Sequence, residues 1–157
     1  MQDGASPLAE ATISTRLLTR IVTLLVALWS LFAGVVLVAA GGSGASALGA
    51  GVEDRAGQRL VGAHLLILVP AYLLLVWQPD RFRAFTWLPY AAQMAVVLVV
   101  GYDILSGETD FGDGILALAV GLIFVALLGF LWITEQRAEA RLKLEARATS
   151  EPDKPPM

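Results

Sequence analysis

The stretch Ile115–Thr134, ILALAVGLIFVALLGFLWIT, holds twenty residues and no charge. A bilayer core about 30 Å thick is crossed by about 20 helical residues rising 1.5 Å each. This run therefore has the length and polarity of a membrane span. Three other stretches read the same way: Ile21–Ala40, Leu60–Trp77 and Phe85–Tyr102. An open strand cannot cross hydrocarbon, because its edge N–H and C=O groups would find no partner. The spans also lack the alternating pattern of a membrane barrel. The expected fold is all-α: a polytopic membrane protein built as an antiparallel bundle of four transmembrane helices.

Composition supports that reading. The chain of 157 residues is 57% hydrophobic and only 16% charged, whereas a soluble domain carries about 25% charged residues. The four spans and short connections use most of the length, leaving no room for a second folded domain. The expected organisation is a disordered tail over 1–12, a transmembrane domain over 13–134, a helical extension over 135–148 and a disordered tail over 149–157. There is no cysteine, which removes disulfides, thiolate metal sites and cysteine nucleophiles. His64 is the only histidine, so one chain cannot supply a bis-histidine haem site. No metal motif, dinucleotide fingerprint, catalytic triad spacing or basic nucleic-acid patch is present. No catalytic residue, metal ligand or nucleic-acid partner is expected.

The charges fall unequally on the two sides. Arg16, Arg20, Arg81, Arg83, Arg137, Arg141, Lys143, Arg147 and Lys154 lie on one side, and only Arg55 and Arg59 on the other. The excess of Lys and Arg on the cytoplasmic side of membrane proteins places both termini in the cytoplasm, in a multi-pass protein of a bacterial inner membrane. The opposite loops are acidic, with Glu53, Asp54, Glu108, Asp110 and Asp113. Trp77, Trp87 and Trp132 fall at the basic ends of their spans, where amphipathic rings meet headgroups. The first span exceeds the 7–15-residue core of a cleaved signal and is read as an uncleaved helix. Its entry is expected to be capped by Ser14 or Thr15.

The connection Gln78-Pro79-Asp80-Arg81 is short, so the second and third spans are expected to be antiparallel neighbours. Pro70 interrupts the second span and removes one helical hydrogen bond. Gln93 lies at a similar depth in the third span, where its amide can meet the carbonyl freed by the proline. Small residues permit close helix packing in lipid. Ser30 and Gly34 in the first span and Gly121 in the fourth are the candidates for such contacts. Beyond Thr134, strong helix formers continue, and Glu139 with Lys143 makes a favourable i,i+4 pair.

Polar groups at depth mark function by default, and few are available. Arg59, His64, Tyr102 and Asp103 would converge on one polar cluster at the acidic side if the second and third spans pair in register. Such a cluster serves as an interhelix clasp or as a ligand site. The basic side is placed to meet anionic headgroups.

The Gly62-Ala63-His64 stretch, the Gln78-Pro79-Asp80-Arg81-Phe82-Arg83 turn and four spans within residues 20–134 resemble small bacterial membrane proteins of the DoxX-like and BphX-like group. Some DoxX-like proteins are associated with quinone-linked oxidoreductases, so the resemblance implies quinone as the one cofactor to consider. The residues themselves favour a non-enzymatic accessory or interaction subunit. Its partners would be the lipid bilayer and either a second copy or another membrane protein. Two alternatives stand beside it: a subunit of a quinone-linked oxidoreductase acting through His64 or Tyr102, and an oligomeric transporter or channel lined by Ser30 and Gln93.

Overall fold

The computed structural model describes the backbone of residues 7–40, 48 and 55–150, and the side chains of 15–39, 48 and 55–144. Four helices account for the described chain: α1 (Pro7–Val35), α2 (Arg55–Trp77), α3 (Leu88–Ser106) and α4 (Phe111–Ser150). All four are long and apolar enough to cross a membrane. The protein is an all-α, multi-pass membrane bundle, as its hydropathy pattern requires. The start of α1, the end of α4 and the α2–α3 connection lie at one end, here the basic end. The α3–α4 turn lies at the other, acidic end.

The helices outrun the apolar stretches. The hydrocarbon-compatible window ends where charge begins, but helical hydrogen bonding does not. α1 starts at Pro7, inside the tail expected to be irregular. Proline is pre-organised for the first helical turn, and Leu8, Ala9, Glu10 and Ala11 are good helix formers. Thr15 therefore sits within the helix rather than at its cap. α2 begins at Arg55, and α4 continues unbroken to Ser150. The expected acidic residues Glu53 and Asp54, and the glycine-rich connection apart from Leu48, lie outside the described residues.

Glycine decides how these helices meet. Leaving lipid for protein gives an apolar surface no hydrophobic gain, so association rests on close packing. α1 and α2 cross at Gly34 and Gly62. A Cβ on Gly34 would lie 3.0 Å from the Gly62 carbonyl oxygen, and a Cβ on Gly62 would lie 2.9 Å from the Gly34 carbonyl oxygen. The two backbones touch with no side chain between them. Directly after Gly34, α1 widens into a π-helical turn, Val36–Ala40. Leu37 and Val38 from that turn close over Gly62, each 2.9 Å from the position of its missing Cβ.

α3 packs against the first half of α4 by the same device. Gly114 lies against Ile104, Gly121 against Val97, and Gly129 against the Tyr90 ring. Each contact pairs residues further apart in sequence as one moves towards the basic end, as an antiparallel pair demands. Gly107 ends α3 at φ +79°, a left-handed conformation that suits glycine. Its N–H reaches the carbonyls of Asp103 and Ile104.

The two hairpins join through α1 and α4. The closely packed pairs are α1–α2, α3–α4 and α1–α4. α2 and α3 are antiparallel, but they are not a closely packed pair, contrary to what the short connection led us to expect. The turn Pro79–Phe82 and the 3₁₀ segment Arg83–Phe85 space them apart at the basic end. α1 and α4 are accordingly the most buried helices. The core consists of Val22, Val26 and Ala27 from α1, Tyr72 and Leu75 from α2, and Leu128 and Leu131 from α4. Tyr72 and Ser30 are fully buried, and neither hydroxyl has a hydrogen-bonding partner among the described residues. Pro70 lies inside an unbroken α2, and Gln93 is buried at the α3–α4 interface, where its backbone oxygen approaches Gly121.

The crossing yields a direct expectation. Gly62→Val should destabilise the protein by about 1–3 kcal/mol, the usual range for overpacking. Gly112, whose Cβ position meets nothing within 4 Å, should accept alanine with little change. Thermal unfolding of both variants in detergent measures the difference. Equal melting temperatures would show that the Gly34–Gly62 contact is dispensable.

Candidate functional site

At the basic end the bundle encloses a cavity of about 620 Å³. Its walls come from α1 over Thr15–Thr23, the α2–α3 connection and the second half of α4. Three threonines, Thr15, Thr19 and Thr23, descend one wall. Their i,i+4 spacing puts them on one face of α1. Leu75, Leu128 and Leu131 form the apolar floor, which is also part of the core. Tyr90, Thr86 and Trp87 close the side formed by α3.

Two polar links fix this end. The Thr19 hydroxyl donates to Glu135 Oε1 at 2.9 Å, joining α1 to α4. The same oxygen lies 3.0 Å from the Thr15 carbonyl, so its single proton is shared between the two acceptors. Arg83, in the connection, forms an ion pair with Glu139 on α4. Glu139 thus reaches across the bundle rather than along its own helix to Lys143. The connection is further held by Phe82, which packs against the core cluster. The Arg81 guanidinium stands 5.8 Å from the centre of the Phe82 ring.

The cavity wall is rich in arginine. Arg16 and Arg20 are one turn apart on α1, and Arg137 and Arg141 are one turn apart on α4. With Arg83 there are five arginines against three carboxylates, Asp80, Glu135 and Glu139. Two of those carboxylates are already engaged, by Thr19 and by Arg83.

The residues expected to converge at the acidic end are arranged differently. His64 Nδ1 is hydrogen-bonded at 2.8 Å to the carbonyl of Leu60, one turn back on its own helix. Arg59 and Tyr102 are exposed. The Asp103 backbone carbonyl accepts from Glu108 and Thr109 N–H and from the Ser106 hydroxyl. Among the described residues, no hydrogen bond or ion pair joins any two of Arg59, His64, Tyr102 and Asp103. The separation of α2 from α3 accounts for this, because the cluster required those helices to be in contact. Among the described residues there is also no group of three metal-ligating side chains.

The cavity was not anticipated from sequence. Its residues come from three distant segments, and each alone reads as ordinary headgroup-level polarity. The available signal was the coincidence of two i,i+4 arginine pairs and one i,i+4 threonine series on helices that must end at the same level.

The two links should differ in strength. Arg83 and Glu139 are 62% and 37% exposed, and exposed pairs contribute about 0.2–1 kcal/mol. The half-buried hydroxyl–carboxylate bond belongs to the stronger class of hydrogen bonds to charged groups, at about 1.5–3 kcal/mol. Thr19→Val is therefore expected to lower stability more than Arg83→Gln, as read by denaturant titration in detergent. The reverse order would mean that the ion pair carries this end.

No family model, curated protein or solved structure matches this chain.

Proposed function

We propose that this chain is a non-enzymatic accessory subunit of a bacterial cytoplasmic membrane, with both termini in the cytoplasm, acting through its basic end. The observation that carries this reading is α4. It leaves the apolar stretch at Thr134 and continues as a charged helix to Ser150. It is tied to α1 through Glu135 and to the α2–α3 connection through Glu139. Such a helix presents side chains at a fixed position relative to the bundle. The excess of arginine at this end supports the orientation. The middle of the bundle supports the lack of chemistry: its buried polar side chains, Thr23, Ser30 and Gln93, are uncharged, and uncharged groups at depth commonly serve helix packing.

Orientation and role are tested together. A fluorescent protein fused after Met157 should be fluorescent in cells, while an alkaline phosphatase fused there should be inactive. Native mass spectrometry after extraction in mild detergent should show a second protein bound in fixed stoichiometry. That partner should be lost when the chain is truncated after Thr134. An active phosphatase fusion would overturn the orientation, and a clean monomer or homo-oligomer would overturn the accessory role.

A further inference from the structure

We propose that the cavity at the basic end is a binding site for the phosphate headgroup of an anionic lipid. Like charges at i,i+4 on a helix repel and cost stability. This cavity holds two such pairs, Arg16 with Arg20 and Arg137 with Arg141. Among the described residues none of these four has an acidic partner. Glu139 is paired with Arg83, which leaves these four arginines against two carboxylates of the wall, Glu135 and Asp80. An anion placed between the two helices offsets the repulsion within both pairs at once. Guanidinium groups match phosphate oxygens in geometry as well as charge, because their N–H donors can bind two oxygens side by side.

The remaining walls distinguish a lipid from a soluble anion. The Thr23 hydroxyl, nearly one turn inside Arg20 on α1, adds a neutral polar group to the wall. The floor is leucine, which has no use for a free phosphate but suits the glycerol and first methylenes of a lipid. Trp87 and Trp132 flank the cavity and are half exposed, as residues at headgroup level are. Phe130 also lines it and is 65% exposed on the outer surface of the bundle. Phe130 thus gives the cavity a lipid-facing side, along which acyl chains can remain in the bilayer while the headgroup enters.

This site does not depend on the accessory role, because it can be scored on the purified chain alone. The experiment is native mass spectrometry of the full-length protein in a neutral detergent. It is titrated separately with dioleoylphosphatidylglycerol, dioleoylphosphatidylcholine and inorganic phosphate. One phosphatidylglycerol should bind in preference to phosphatidylcholine. The double variant Arg20→Gln, Arg137→Gln should weaken that binding about thirtyfold, the equivalent of about 1 kcal/mol for each basic side chain near an anionic headgroup. Lys143→Gln changes a charge on the same helix outside the cavity, and it should leave binding unchanged. Circular dichroism and size-exclusion profiles matching the parent protein qualify each variant. Equal retention of the two lipids overturns the proposal. So does an equal loss in Lys143→Gln, which would indicate a diffuse basic surface. Displacement of phosphatidylglycerol by millimolar inorganic phosphate also overturns it, in favour of a soluble anion.

Discussion

In hydrocarbon, two helices gain nothing from hiding apolar side chains, so this bundle depends on how closely its backbones can approach. The Gly34–Gly62 crossing supplies that approach for the first hairpin, and the series Gly114, Gly121 and Gly129 supplies it for the second. Between these contacts, the α1–α4 interface is built from ordinary core side chains and one hydroxyl–carboxylate bond. The architecture is therefore two glycine-packed hairpins joined back to back. The separation of α2 from α3 follows from this, as does the lack of a polar cluster at the acidic end.

The same arrangement creates the cavity. α1 and α4 converge at the core and carry their polar faces beyond it at the basic end. The α2–α3 connection bridges the gap between them through Phe82 and the Arg83–Glu139 pair. Space remains beneath that bridge. Its chemistry is inherited from position: leucine where the wall lies in the apolar layer, and interleaved threonine and arginine where α1 emerges.

Much of the fold can be read from hydropathy, because the requirement for internal backbone hydrogen bonding leaves few alternatives for four long apolar stretches. Gly34 and Gly121 are also visible in advance as small residues on helix faces. Gly62 is harder to recognise, since only the partner backbone reveals why its side chain is missing. Helix ends are misjudged for a definite reason. Apolarity reports where lipid stops, while Pro7 and Ser150 mark where helical propensity stops. The pairing of helices is the least legible level. A short turn such as Gln78–Asp80 fixes direction but not adjacency, and the placement of Arg59, His64, Tyr102 and Asp103 depends on adjacency.

The length of α4 has a mechanical consequence. Its 40 residues make a rod about 60 Å long at 1.5 Å per residue, roughly twice the hydrocarbon thickness. The part beyond the apolar stretch, Glu135–Ser150, has no hinge from glycine or proline. A change in bilayer thickness that tilts the bundle by about 10° displaces the tip of this extension, about 24 Å beyond the apolar stretch, by about 4 Å. The helix thus works as a lever. It converts a small adjustment to the surrounding lipid into a movement of a few ångströms outside the membrane.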